Sequence, residues 1–344
     1  MPDDFRPSHD ASTDAVPRGG EGIIRHGWAS FFGAPVLEDV SRFEADVAFL
    51  GVPFDGATND RPGARFGPAA VRDASVRYQA PALAGWLDPE RGVHLLRGAR
   101  LLDVGDVDIR TVDLMENFDR MTEAARLVRS SGAFPVFVGG DHAITFGLVR
   151  AFDDPSGSSP SGRSPAGGKL TVVQFDAHQD FTDEKFGVRY SHDNHMRRIS
   201  ELPHVGRIVQ VGIRSLIERR EPWEAALAMG VQIIPAERIV RLGVEEALAG
   251  LQVEGDCYVT IDIDVLDPAV ASGTGYPEPG GLSYYQVREA VWNVMRRCRL
   301  VGFDVTEVNP VYDFSAATAR IAARLIIDVL GEALGPPEPA PRPE

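Results

Sequence analysis

Short apolar runs alternate with stretches of helical periodicity along most of the chain. Runs rich in β-branched and aromatic residues occupy 46–52, 101–104, 135–138, 170–175, 208–213, 231–234, 257–263 and 300–305, the length and texture of buried strands. Between them, Leu114, Phe118, Met121, Ala125 and Val128 are spaced four, three, four and three apart, one apolar stripe on a helix. A second stripe, Val287, Val291, Val294 and Cys298, is opened by Ser283 with Gln286 three residues on, a capping box. Strand, helix, strand repeated this often predicts an α/β fold: a three-layer α/β/α arrangement around a mostly parallel sheet of about eight strands.

The pattern breaks in three places. Residues 1–21 are polar with Pro and Gly and no period, and 335–344 are rich in Pro. Both are expected to be disordered or loosely packed. The stretch 153–168, rich in Ser, Gly and Pro, reads as a flexible insertion in one continuous domain spanning 22–334.

Composition narrows the picture without sharpening it. The 344 residues are 44% hydrophobic, enough for a large core, and the net charge of -15 gives no footing for nucleic acid or an anionic membrane. Cys257 and Cys298 both fall in apolar segments and are expected to be reduced. No apolar stretch approaches the roughly 18 residues that span a bilayer, and the start lacks a signal-peptide core, so a cytoplasmic protein without a membrane partner is expected.

The chemistry gathers at strand ends. Val172-Val173-Gln174-Phe175 runs directly into Asp176, His178 and Asp180, which alternate and so face one way in an extended chain. Gly139-Gly140-Asp141-His142 follows a second strand, and Asp262 and Asp264 alternate with apolar residues at a third. In a parallel sheet these carboxyl ends line the ligand crevice. Burying the carboxylates of Asp176, Asp180, Asp262 and Asp264 together is prohibitively unfavourable unless cations offset them. Two divalent ions about 3.5–4 Å apart, sharing carboxylates, could satisfy these side chains and still admit water. Oxygen and imidazole without thiolate suit Mn²⁺ and leave Ni²⁺, Fe, Co and Zn open.

These three clusters resemble the metal motifs of the ureohydrolase family, which includes the arginases, agmatinases and guanidinobutyrases. The similarity extends to Gly51-Val52-Pro53-Phe54-Asp55-Gly56, to Arg61-Pro62-Gly63-Ala64-Arg65-Phe66-Gly67-Pro68, to Ser272-Gly273-Thr274-Gly275 and to Thr306-Glu307-Val308-Asn309-Pro310. It covers about residues 45 to 332 and is closer to the agmatinase branch. The resemblance implies one ion at His142 and Asp180, the other at His178 and Asp264, with Asp176 and Asp262 bridging. It implies attack of an activated water on a guanidinium carbon, releasing urea and an amine. His192 then corresponds to the proton shuttle and Glu307 to the carboxylate that pairs with the guanidinium. Asp141 is expected to support the metal shell or a turn. Homo-trimers or homo-hexamers are implied, and a small guanidino compound is the implied substrate.

The sequence departs from that family where the substrate's far end should lie. Asp193-Asn194-His195-Met196-Arg197 replaces the usual Gly-Thr-Pro-Phe-Arg after the shuttle histidine, and Gln179 replaces Ser or Thr. Asp183, Glu184 or Asp193 could receive a cationic tail such as agmatine's; Arg189 or Arg197 could receive a carboxylate such as guanidinobutyrate's. Phe181, His195 and Met196 could instead crowd the pocket so that only guanidine or a small alkylguanidine enters. Asn194 and His195 join Asp183 and Asp193 as candidate substrate residues, and His195 is also a possible extra metal ligand. Two other readings stay open: a catalytically silent subunit of this family, and an amide hydrolase of the histone-deacetylase type.

Overall fold

The computed structural model describes residues 24–25, 29–37, 43–79, 84–110, 112–153, 169–335 and 338–339. The whole of the N-terminal segment 1–21 and all of the expected insertion but Asp153 therefore lie outside the described residues.

Eight parallel strands form the centre of the molecule: β2 (Val47–Val52), β3 (Leu101–Val107), β4 (Phe134–Gly139), β5 (Leu170–Phe175), β6 (Val205–Ile213), β7 (Gln232–Pro235), β8 (Asp256–Asp262) and β9 (Arg299–Thr306). A two-residue strand, β1 (Ile24–Arg25), pairs antiparallel with β3 at one edge, a ninth strand beyond the expected eight. The order across the sheet is β1-β3-β2-β4-β9-β8-β5-β6-β7.

Side-chain alternation sorts the core into two layers. From β2, Val47 and Phe49 pack with α1 (Gly67–Ser75), α6 (Ala236–Leu242), α7 (Val244–Ala247), α8 (Tyr284–Met295) and α9 (Ala317–Ala333). Ala48, Leu50 and Val52 face the other way, onto α2 (Leu114–Ser130), α3 (Ile144–Val149), α4 (His195–Ser200) and α5 (Arg220–Ala228). Strands covered on both faces have no polar side to show, which is why they read as continuous apolar runs. Helix α2 begins where the Asp113 carboxylate accepts the Glu116 N–H at 3.0 Å, and α8 where Ser283 and Gln286 close the capping box seen in the sequence.

Two boundaries differ from expectation for a physical reason. β3 continues to Val107 although Asp103 and Asp106 interrupt its apolar run, because the buried Arg72 guanidinium binds both carboxylates and the Gly105 carbonyl. β8 stops at Asp262, whose side chain accepts the Asp264 N–H at 2.8 Å and turns Ile263–Val265 into a short 3-10 helix. A small second sheet, not anticipated, joins Trp86–Asp88, Val93–Leu95 and Glu338–Pro339, so part of the C-terminal segment pairs with the domain. Among the described residues no helix is long and apolar enough to cross a membrane.

Candidate metal centre

Four adjacent central strands, β4, β9, β8 and β5, deliver the candidate residues to one end of the sheet. After β4, Gly140 lies so close to the β2–α1 loop that a Cβ there would come within 1.6 Å of the Phe54 carbonyl oxygen. Only glycine allows this approach, and it lets the Asp141 N–H donate to that oxygen at 2.7 Å. Asp141 in turn accepts the Ala57 N–H at 2.8 Å and the Ala143 N–H at 3.1 Å. Its carboxyl thus fixes the turn from which His142 projects, and burial, then the Glu307 charge, pushes its pKa up to about 7.

The six donors singled out in the sequence converge. His142 Nδ1 lies 2.9 Å from Asp176 Oδ2, 3.1 Å from Asp262 Oδ2 and 3.7 Å from Asp180 Oδ2. His178 Nδ1 lies 2.9 Å from Asp264 Oδ2 and 3.5 Å from Asp176 Oδ1. Asp176 therefore presents one oxygen to each imidazole. Asp180 reaches inward from a left-handed backbone, φ 50°, a conformation that a non-glycine residue holds at some cost. Burial, reinforced by neighbouring carboxylates, raises the pKa of Asp180, Asp262 and Asp264. Asp176 is held low despite its burial, because His142 and His178 flank it. Three sets place their donor atoms within 4.8 Å of one another: His142, Asp176 and Asp262; Asp176, His178 and Asp264; and His142, Asp180 and His195.

Beneath these donors runs a buried polar row set by strand register. Asp304 of β9 pairs with Thr260 of β8, Thr260 with Gln174 of β5, and Gln174 with Gln210 of β6. All four are fully buried. Thr260 Oγ1 donates to Asp304 Oδ1 at 2.6 Å and meets His142 Nε2 at 2.7 Å, while Tyr258 and Thr145 also donate to Asp304. Gln174 Nε2 donates to Asp176 at 2.6 Å and Asp180 at 3.2 Å, and Gln210 Nε2 donates to Gln174 Oε1 at 2.6 Å. The row aims the donors above it.

At the rim, Glu307 follows β9 in a left-handed conformation, φ 60°. Its Oε1 accepts the His142 backbone N–H at 2.9 Å and lies 3.5 Å from His192 Nδ1. Burial opposes charge on His192, but its hydrogen bond and attraction to Glu307 outweigh this and raise its pKa. Tyr276 leans across the opening, its ring 5.1 Å from that of His192 and 6.2 Å from that of His178. Burial, then the charges of Asp60 and Asp193, pushes its hydroxyl up to about 12.

The remaining substrate candidates separate. Asp193 lies at the rim, bonded to Asn59 and to Lys185 Nζ at 2.7 Å. Asp183 is bound instead by Arg198 and Arg189, which hold its carboxyl below the usual range. Asn194 is fully buried and joins Ser191 to the Thr182 carbonyl, a bond that shapes the loop. Arg189 also approaches Glu201, and Arg197 faces Glu221 at 3.6 Å, so both cations already meet acids. Phe181 and Met196, expected to crowd the pocket, are buried in the apolar layer with α2, α3 and α4.

Sequence reasoning passed over Tyr276, Gln174, Thr260 and Arg214. The last binds the carbonyls of Asp264 and Glu278, each at 2.8 Å, and pins the loop that carries Tyr276. One signal was present: Gln174 and Thr260 stand two positions before Asp176 and Asp262, on the same strand faces.

The arginase family model matches residues 45–331. The chain is 36% identical to a guanidinopropionase of Pseudomonas aeruginosa, over 88% of this chain and 91% of that one. It is 34% identical to the mitochondrial agmatinase of Gallus gallus, over 94% and 91% of the two chains. Among solved structures, proclavaminate amidino hydrolase from Streptomyces clavuligerus superposes with a TM-score of 0.75 at 29% identity, covering 90% of this chain and 97% of the other. With its eight-stranded parallel sheet and the donors at its carboxyl end, the chain belongs to the arginase family of metal-dependent amidinohydrolases acting on guanidino compounds.

Proposed function

We propose that this protein releases urea from a guanidino compound at a pair of divalent ions, with agmatine, cleaved to putrescine and urea, as the leading substrate. The convergence of four carboxylates and two imidazoles carries this reading. So many buried acids are tolerable when cations sit among them, and the oxygen and imidazole donors fit Mn²⁺, with Ni²⁺ also admitted. His142 and Asp180 would hold one ion, His178 and Asp264 the other, with Asp176 and Asp262 shared. When bound, such a pair supplies a water that is nucleophilic at neutral pH and a positive field for the charge that develops on the guanidinium carbon's substituents.

The chain's own residues do the rest. Glu307 keeps Oε1 on the His142 N–H, and its Oε2 faces Gly275, where no side chain intrudes on a planar cation. A carboxylate so placed orients the guanidinium. His192 holds a proton at Nδ1 beside Glu307, and its raised pKa keeps that proton available near neutrality for the departing amine. The Tyr276 ring, beside those of His192 and His178, limits water there.

For the tail, Asp60 and Asp193 both act on Tyr276 at the opening, and with one of the two acids shared with Lys185 this side still carries net negative charge, which favours an amine over a carboxylate. One observation favours a guanidino acid such as guanidinobutyrate instead. The Arg61 backbone borders Gly275, beside Glu307, and its guanidinium stacks on Tyr312 at 4.1 Å. A homo-trimer or homo-hexamer and a cytoplasmic setting complete the proposal.

Urea release from Mn²⁺-loaded and Ni²⁺-loaded protein, with agmatine, 4-guanidinobutyrate, arginine, guanidine and methylguanidine, tests it. Agmatine should give the highest kcat/KM, and Asp193→Asn should raise KM for agmatine by about 10-fold or more, as expected for a lost charged contact. A preference for 4-guanidinobutyrate that Arg61→Ala removes would transfer the assignment to a guanidino acid. Silence on every guanidino compound with two ions bound would point to a non-catalytic subunit.

A further inference from the structure

His195 opens α4, is 1% exposed, and its ring lies 4.1 Å from that of His142, centroid to centroid. Its Nδ1 is 2.8 Å from the His192 carbonyl oxygen. A carbonyl only accepts, so Nδ1 carries the hydrogen and the lone pair is left on Nε2. That Nε2 is sealed from solvent and has no hydrogen-bond partner among the described residues. A buried acceptor without a donor is unfavourable unless something else occupies its lone pair.

His142 divides its two nitrogens in the same manner. Nε2 is tied to the Thr260 hydroxyl, and Nδ1, which makes no hydrogen bond, turns to the carboxylates. One nitrogen fixed by a carbonyl or hydroxyl and the other bare is the arrangement of an imidazole that ligates a metal. His195, His142 and Asp180 bring their donor atoms within 4.8 Å of one another, and His195 Nδ1 is itself 3.6 Å from Asp180 Oδ2.

We propose that His195 Nε2 is a further ligand to the ion at the His142 and Asp180 end of the centre. This rests on the two-ion reading above. It makes the ends unequal: two imidazoles at the His142 end, one at the His178 end. An added nitrogen strengthens binding of Ni²⁺ and Co²⁺ more than that of Mn²⁺, so the His142 end is the one that selects the metal. His195 is thereby a ligand and not a reader of the substrate's tail.

Metal-free protein is titrated with Ni²⁺ and, separately, Mn²⁺ against a competing chelator, with ions per chain counted by mass spectrometry. The same protein is titrated with Co²⁺ and its visible absorption recorded. Wild type should take up two ions, with Ni²⁺ favoured at one site. His195→Ala and His195→Asn should each weaken Ni²⁺ at that site by about 100-fold or more, with a smaller loss for Mn²⁺, and should change the Co²⁺ spectrum of that site alone. Circular dichroism of both metal-free variants confirms that they fold. Two ions bound by both variants with wild-type affinities and spectrum would overturn the His195 assignment alone. Fewer than two ions in wild type would overturn the two-ion reading, and this assignment with it.

Discussion

Thr260 shows how much of the centre depends on residues that never touch an ion. Its hydroxyl hydrogen goes to Asp304, so its lone pair faces His142 Nε2, which must then carry a hydrogen and leave Nδ1 for the cluster. Thr260→Val keeps the β-branched shape and removes that acceptor, while Asp304 retains Tyr258 and Thr145 as donors. Ion affinity should fall by about 10- to 100-fold in a chelator competition, with the metal-free protein still folded. Unchanged affinity would mean that His142 is oriented without Thr260. The six donors were legible in the sequence because acids and histidines crowded at buried strand ends are tolerable only around cations. Thr260 and Gln174 left only the trace of standing two positions before Asp262 and Asp176, because the bonds that give them a role come from cross-strand neighbours that register alone shows. Tyr276 escaped for a related reason. Its place across His178 and His192 depends on Arg214, which holds the Glu278 carbonyl across 64 positions of sequence, a contact that no local pattern encodes.

At the scale of elements, the eight central strands follow from their apolar runs and α2 and α8 from their apolar stripes, and two of the misplaced boundaries sit where polar residues had unforeseen partners. Arg72 extends β3, and the Asp262 carboxylate ends β8. His204 makes such a contact testable. It precedes β6 in the chain, its Nε2 meets the Val149 carbonyl at the end of α3 at 3.0 Å, and burial lowers its pKa. A histidine with a depressed folded pKa binds fewer protons folded than unfolded, so stability is retained above its unfolded value, about 6.5, and lost as pH falls from there through the folded value. His204→Gln preserves an N–H donor and removes the titration. Melting temperatures measured from pH 7.5 down to 5.5 should therefore decline more steeply in wild type than in the variant. Parallel curves would show that His204 protonates as freely folded as unfolded.

For the molecule as a whole, the centre lies where β4, β9, β8 and β5 end together, midway between the two helical layers. Its donors join segments as distant in sequence as His142 and Asp264, so ions bound there clamp the middle of the sheet from strand to strand. Ions that bind the native chain alone stabilise it by mass action, about 2.7 kcal/mol for each site at a free concentration 100 times Kd. For a chain of this size each kcal/mol shifts Tm by roughly 2 °C, so removing both ions should lower Tm by about 10 °C. Returning Mn²⁺ or Ni²⁺ should restore it, whereas Mg²⁺, which prefers oxygen donors and holds its water, should restore little. The loss should also be cooperative. Because the four strands share one sheet and both cores, near-ultraviolet and far-ultraviolet dichroism of the stripped protein should melt at the same lowered temperature. A stripped protein that melts at the temperature of the loaded one would show that the cluster carries no ions under those conditions, and would remove the physical basis for its buried acids.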